Sequence, residues 1–252
     1  MSPEKLSVCV ITYNEEGNIR DCLESVKWAH EIVVVDSFSE DKTADICKEY
    51  TDKVLQRKWP GYVEQKNFII QQAKGDWILS LDADERVSPE LQEDINAVLQ
   101  GQMDNFDGFY FPRHSFYLGR WINHGGWYPD YKLRLYKQKK GKWAGQYLHE
   151  KVMVSGGVGY LSGELIHYVY KNIADQLKTV DNFSTISAQE LHKAGKKFRL
   201  WLPLFRPWFR FLEMYVIKRG VLDGFPGFVI AVVSSYYVFL KYAKLWELQR
   251  GT

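Results

Sequence analysis

Trp77-Ile78-Leu79-Ser80-Leu81-Asp82, followed at once by Ala83-Asp84-Glu85, is the stretch on which the fold turns. Its nearly unbroken apolar run reads as a short strand buried on both faces, as strands of parallel sheets are. The carboxylates arrive where that run stops, so they sit at the strand's carboxyl end. Upstream, Gly75 closes a helical pattern running from about Val63 to Ala73; downstream, Ser88-Pro89-Glu90 opens a helix with proline in its first turn. Further back the same order repeats. Leu6 to Ile11, Glu31 to Asp36 and Lys53 to Gln56 read as strands. Between them Ile19, Cys22, Leu23 and Val26, then Ala44, Ile46 and Cys47, recur at helical spacing. Strands alternating with helices predict βαβ units, right-handed crossovers and an α/β fold with a mostly parallel sheet and helices on both faces. Ligands of such sheets gather at the carboxyl ends of the strands. Three polar clusters fall there: residues 12–15, Asp36 with Ser37, and Asp82 with Asp84 and Glu85.

The chain of 252 residues is 46% apolar and 25% charged, an ordinary globular composition that excludes a disordered, collagen-like or coiled-coil protein. Its net charge of +2 argues against nucleic acid as a partner. Cys9, Cys22 and Cys47 show no metal-ligand spacing and read as buried thiols of a reducing compartment. The N-terminus enters a strand without the apolar core of a signal peptide, which points to a cytoplasmic protein.

Three segments follow from these patterns: a ligand-binding half over 1–105, a second half over 106–172, and a helical tail over 173–252. In the second, Phe109 to Arg113, Lys132 to Tyr136 and Val152 to Val154 alternate like antiparallel strands, joined by loops rich in glycine and aromatics. A helix is predicted over about 173–193. From Lys193 to Gly220 eight Lys and Arg face the single acid Glu213, interleaved with Phe198, Trp201, Phe205, Trp208, Phe209, Phe211 and Tyr215. Residues 224–240 carry no charge, a length at the lower edge of a membrane span. A basic, aromatic helix beside an apolar one suits peripheral attachment to an anionic membrane surface.

Asp82-Ala83-Asp84 is the main chemical signal. A D-x-D pair is common in solvated loops, but at a buried strand's end it offers hard oxygen ligands to Mg²⁺ or Mn²⁺, an ion able to neutralise a departing diphosphate.

Together, Ser7-Val8-Cys9-Val10-Ile11-Thr12-Tyr13-Asn14-Glu15-Glu16, Val33-Val34-Val35-Asp36-Ser37 and the run from Gly75 to Glu85 resemble the nucleotide-sugar domain of family 2 glycosyltransferases. Gly125-Gly126-Trp127-Tyr128-Pro129-Asp130, Arg134-Leu135, Trp143-Ala144-Gly145-Gln146-Tyr147-Leu148-His149-Glu150, His167-Tyr168 and Gly220-Val221-Leu222-Asp223-Gly224 are similar to the branch of lipopolysaccharide inner-core β-1,4-glucosyltransferases. The resemblance implies a GT-A fold, with a Rossmann-like donor half, an acceptor half and a helical membrane-associating appendage. It implies inverting, metal-dependent transfer of a hexose, glucose from UDP-glucose, to a lipid-linked saccharide at the cytoplasmic face of the inner membrane.

Carried over by position, Thr12, Tyr13, Asn14, Glu15, Asp36, Gln65, Lys66, Asp82, Ala83 and Asp84 would bind the donor, with Asn67 beside them. Thr12 departs from the proline that many members carry. Asp82, Asp84 and His167 would hold Mn²⁺ or Mg²⁺. Glu150 would be the base that deprotonates the acceptor hydroxyl, with His149 orienting substrate and Asp130 as the runner-up base. Arg113, Arg120 and Arg134 could grip acceptor phosphates, and Trp127 and Tyr128 could face sugar rings. Two other readings stand beside this one. A polyprenyl-phosphate sugar synthase would need no base, and a non-catalytic carbohydrate-binding or adaptor protein would need neither base nor metal.

Overall fold

The computed structural model describes residues 4–145 and 150–251. The first hundred residues form β1 (Leu6–Thr12), α1 (Ile19–Glu24), β2 (Glu31–Asp36), α2 (Thr43–Lys48), β3 (Val54–Gln56), α3 (Tyr62–Gln72), β4 (Trp77–Asp82), β5 (Glu85–Val87) and α4 (Pro89–Leu99). Next come β6 (Gly108–Tyr117), β7 (Arg120–Ile122), β8 (Asp130–Lys137), β9 (Gly141–Ala144), β10 (Lys151–Val154), β11 (Val158–Tyr160) and β12 (Leu165–His167). The C-terminal part holds α5 (Ile173–Lys193), α6 (Trp201–Leu212) and α7 (Gly224–Arg250).

The chain divides into two compact units, one of Met1–Arg113 with Tyr131–Tyr168, the other of His114–Asp130 with Val169–Thr252. The segment expected over 106–172 is thereby shared between them.

In the first unit β3, β2, β1 and β4 run parallel, as the strand–helix alternation predicts. Beyond β4 the sheet turns mixed, because β8 joins β4 antiparallel and β12 joins β5 antiparallel. β1 is buried along its whole length, since helices cover both faces. On one face Val8, Val10, Val34, Leu79 and Leu81 pack with Ile19, Leu23, Leu91 and Ile95. On the other Cys9, Ile11, Val33, Val35 and Ile78 pack with Ile69 and Ile70 of α3. Cys9, Cys22 and Cys47 are buried free thiols. Register then decides what meets at the carboxyl edge: Thr12 lies opposite Asp36, and Ile11 opposite Asp82.

The second unit is built on α5 and α7, with Tyr117, Ile122, Val180, Met214, Ile230 and Val233 in its main core. A π-type turn (Glu213–Ile217) and a 3₁₀ turn (Gly220–Asp223) lead from α6 into α7. Buried Asp223 accepts the backbone N–H groups of Asn123 (3.2 Å) and His124 (2.8 Å), which pins the glycine-rich loop to that turn.

Candidate active site

The carboxyl edge of the first unit's sheet is assembled from three loops. After β1, Asn14 takes a left-handed conformation (φ 53°), which asparagine tolerates better than most residues. Its N–H donates to Ser39 Oγ (2.9 Å), and its side-chain oxygen accepts the Glu40 N–H (2.8 Å). Glu15 N–H donates to Thr43 Oγ1 (2.8 Å). Asp36, fully buried at the end of β2, accepts both the N–H and the hydroxyl of Ser39. Gln65 on α3 donates to Ser37 Oγ (3.1 Å). Thr12 to Glu15, Asp36 and Gln65 therefore line one stitched rim, on which Tyr13 is exposed. Asn67 stands apart from this rim: its side chain exchanges two hydrogen bonds with the Trp143 backbone (2.9 and 3.0 Å).

A buried charge network lies at the end of β4. Lys66, 1% exposed, places Nζ 3.0 Å from Asp82 Oδ1, 4.0 Å from Glu150 Oε1 and 4.3 Å from the Trp143 ring. Arg134 Nη2 donates to the other Asp82 oxygen (2.7 Å) and to Glu85 Oε1 (3.3 Å). Arg113 Nη1 also donates to Glu85 Oε1 (3.1 Å), and the Asp82 N–H donates to Glu85 Oε2 (3.0 Å). Burial by itself would raise the Asp82 pKa, but Arg134 and Lys66 outweigh it and hold the carboxyl well below its ordinary value. Burial, then Arg134, lowers the Lys66 pKa despite Asp82. Tyr62 is pushed up to about 12 by burial and by Asp82, Glu150 and Asp84.

Asp82, Arg113, Arg134, Trp143 and Glu150 face a common cavity of about 320 Å³. Arg134 Nε and Nη1 and Thr12 Oγ1 are buried and have no hydrogen-bond partner among the described residues. Each such group costs about 1–3 kcal/mol unless something satisfies it. Unsatisfied donors beside fixed cations are what a diphosphate's oxygens would fill.

Asp84 and His167 form a second pair. Opposite Glu85 in the β5–β12 register, His167 sets Nε2 3.3 Å from Asp84 Oδ2, and the Asp84 carbonyl accepts the Tyr168 N–H (3.0 Å). Among the described residues no group of three or more His, Cys, Asp or Glu side chains forms a metal cage. A carboxylate with an imidazole still suits a first-row divalent ion such as Mn²⁺ better than Mg²⁺, with substrate phosphates and water completing the shell. Asp84 and His167 would be that pair; Asp82, also expected to share the ion, lies 3.0 Å from Lys66 Nζ and 2.7 Å from Arg134 Nη2. Ala83, buried between the two carboxylates, offers only its backbone.

The residues expected to grip the acceptor are divided. Arg113 and Arg134 belong to the first unit, and Arg134 is 5% exposed, bound to Asp82 rather than open to a large acceptor. Arg120, Trp127, Tyr128 and Asp130 belong to the second unit. There Arg120 Nη2 lies 3.9 Å from Asp223, Trp127 packs on Tyr117 and Tyr170, and Tyr128 packs on His114. His149 lies outside the described residues. Glu85, which the sequence places in the polar cluster after β4, is the buried hub of this network; Ala83, Glu85 and Val87 alternate toward the core and mark it as an inward-facing acid.

The glycosyl transferase family 2 model matches residues 7–154, and the chain belongs to that family. It is therefore a glycosyltransferase on a GT-A-like fold. The lipopolysaccharide core biosynthesis glycosyltransferase LpsC of Rhizobium meliloti is 30% identical over 249 residues, 96% of this chain and 92% of that protein. An uncharacterised glycosyltransferase of Rickettsia felis is 34% identical, covering 97% of this chain and 90% of that protein. Among solved structures, the mannosyltransferase PcManGT from Pyrobaculum calidifontis, in complex with GDP-Man and Mn²⁺, superposes with a TM-score of 0.58. That match covers 98% of this chain and 88% of the other at 14% identity.

Proposed function

We propose that the enzyme transfers glucose from UDP-glucose, with inversion, to a lipopolysaccharide-core or related glycolipid acceptor at the cytoplasmic face of the inner membrane. The observation that carries this reading is the Lys66–Asp82–Arg134 network beside the Asp84–His167 pair, on the edge where β1, β2 and β4 end. Whole-length likeness to LpsC supports the lipopolysaccharide acceptor, and glucose rests on the resemblance of the Gly125–Asp130 and His149-Glu150 segments to inner-core glucosyltransferases.

Thr12, Tyr13, Asn14, Glu15, Asp36 and Gln65 form the rim that receives the nucleoside, and Asp36 holds that rim through Ser39. Lys66 and Arg134 present fixed positive charge toward the diphosphate, with no side-chain reorganisation needed as charge develops on it. Arg113 reaches the same network through Glu85. A divalent ion held by Asp84 and His167 would neutralise charge on the leaving diphosphate. The acceptor hydroxyl oxygen attacks the anomeric carbon as the bond to the diphosphate oxygen breaks. Its proton passes to Glu150, whose carboxylate faces the cavity containing Asp82. Lys66 Nζ lies 4.0 Å from Glu150 Oε1.

Transfer of labelled glucose from UDP-glucose to a core glycolipid lacking that residue tests the reading, with the linkage read by NMR. A β-linked product supports it. A different sugar transferred with equal efficiency, or an α-linked product, would refute the donor or the stereochemistry.

A further inference from the structure

The second unit presents its apolar side chains the wrong way for a helix immersed in water. No residue of α6 is buried. Trp201, Leu204, Phe205, Trp208, Phe209 and Leu212, at spacings of three and four, share one face and are all exposed, Trp208 at 69% and Phe209 at 71%. Arg206 and Arg210 lie on the other side of the helix. Beyond α6, Phe225 continues the exposed apolar surface at 70% and stacks on Phe228. An apolar surface this continuous marks a contact with something other than water.

Beside it is a groove of about 580 Å³. Lys196, Lys197, Arg199 and Arg206 ring it, and Leu202 and Leu245 line its floor. Among the described residues none of the four cations has a carboxylate within ion-pair distance. Lys241 adds to the crowding: burial, then Arg206 and Arg210, lowers its pKa. Unpaired cations around an apolar floor suit a group that carries negative charge at one end and hydrocarbon at the other.

Residues 220–250 are long and apolar enough to cross a bilayer. The packing of α7 argues against crossing. Lys244 Nζ donates to Asp181 Oδ1 (2.6 Å) and Thr185 Oγ1 (2.7 Å) of α5, and Tyr237 shares a 2.7 Å hydrogen bond with Ser187. The start of α7 is tied through Asp223 to Asn123 and His124. A spanning α7 would either shed these partners or drag Asp175, Lys178, Asp181 and Glu190 of α5 into hydrocarbon, where charged side chains are strongly disfavoured.

We infer that α6 lies in the plane of an anionic leaflet with its aromatic face inserted, that the groove of Lys196, Lys197, Arg199 and Arg206 seats an anionic phospholipid's phosphate, and that α7 lies along the membrane without crossing it. This rests on the reading of the enzyme as membrane-associated and adds how it attaches.

Flotation of the full chain with vesicles of phosphatidylcholine, alone or mixed with phosphatidylglycerol, tests the inference, with UDP binding measured in parallel. The wild type should float with the mixed vesicles alone and be released by alkaline carbonate, and a C-terminal tag should stay open to protease. Paired Trp208→Glu and Phe209→Glu should weaken flotation at least tenfold. Lys197→Gln, Arg199→Gln and Arg206→Gln should each cost about fivefold. All of these variants should bind UDP as the wild type does and keep its melting temperature. Carbonate-resistant protein with a protected tag would overturn the in-plane arrangement. Equal flotation with both vesicle types, or flotation abolished by millimolar inorganic phosphate, would overturn the lipid-phosphate seat. No flotation with UDP binding intact would overturn attachment by this surface and leave the donor site standing. Loss of UDP binding in the wild type would instead remove the reading on which the inference rests.

Discussion

Asp84 Oδ2 and His167 Nε2 lie 3.3 Å apart although one residue follows β4 and the other ends β12. The antiparallel pairing of β5 with β12 sets His167 opposite Glu85, one residue beyond Asp84. If this carboxylate and imidazole hold the divalent ion proposed above, each alone should hold it weakly. Asp84→Asn and His167→Asn should each weaken Mn²⁺-dependent UDP binding at least tenfold by calorimetry while leaving the melting temperature within a few degrees. Unchanged binding in both variants would remove the metal role from this pair.

Arg134 is held between two acids, Asp82 at 2.7 Å and Glu85 at 3.3 Å. Arg134→Met leaves these buried carboxylates short of charge, a change that costs about 3–5 kcal/mol. Urea unfolding should show that loss. Arg134→Lys should recover only part of it, since an ammonium lacks the guanidinium's fork and reaches both acids poorly. Full recovery with lysine would show that charge alone matters here.

Glu150→Gln separates base from scaffold. If Glu150 takes the acceptor proton, the variant should lose about 10²–10⁴-fold in kcat, with donor affinity nearly unchanged. A polyprenyl-phosphate acceptor brings its own oxyanion, so an enzyme of that kind would keep its rate. Full activity of the variant on a phosphate acceptor would move the assignment there.

Glu31 fastens the opposite end of the sheet. It accepts from the Ser7 hydroxyl, Lys53 Nζ and the Lys74 N–H (2.8 Å), and Ser7 Oγ accepts the Gly75 N–H (2.8 Å). Burial would raise its pKa, but Lys53, Ser7 and Lys74 together lower it. A carboxylate depressed in the folded state stabilises above its unfolded value, near 4.3, and loses that contribution as the pH falls through the folded value. Glu31→Gln should thus cost about 1–3 kcal/mol at pH 7. The gap from wild type should close as the pH is lowered toward 3 in urea titrations. A gap independent of pH would show that the amide replaces the charge without loss.

Much of the sheet's carboxyl edge is legible in the sequence because it depends on local patterns. Apolar runs ending in Thr12, Asp36 and Asp82 are strands that parallel pairing must bring together at one edge. Other features depend on contacts that no local pattern encodes. Arg134 looks like any strand arginine until β8 returns antiparallel beside β4 and delivers it to Asp82. Of the expected acceptor residues, Arg113 and Arg134 fall in the first unit and Arg120, Trp127 and Tyr128 in the second, a partition that chain order does not announce. Asn67 follows Lys66 directly, but on a helix neighbouring residues point about 100° apart, so one meets Asp82 and the other the Trp143 backbone.

The proposed nucleotide-sugar site lies on the carboxyl edge, with Asp84 at its centre. Its most direct test is hydrolysis of UDP-glucose, UDP-galactose, UDP-GlcNAc and GDP-mannose by the purified chain with Mn²⁺, run beside Asp84→Ala. Slow hydrolysis of UDP-glucose above the other donors, lost in the variant, is the predicted result. Hydrolysis of none of the four, together with no calorimetric binding of UDP or GDP, would contradict it.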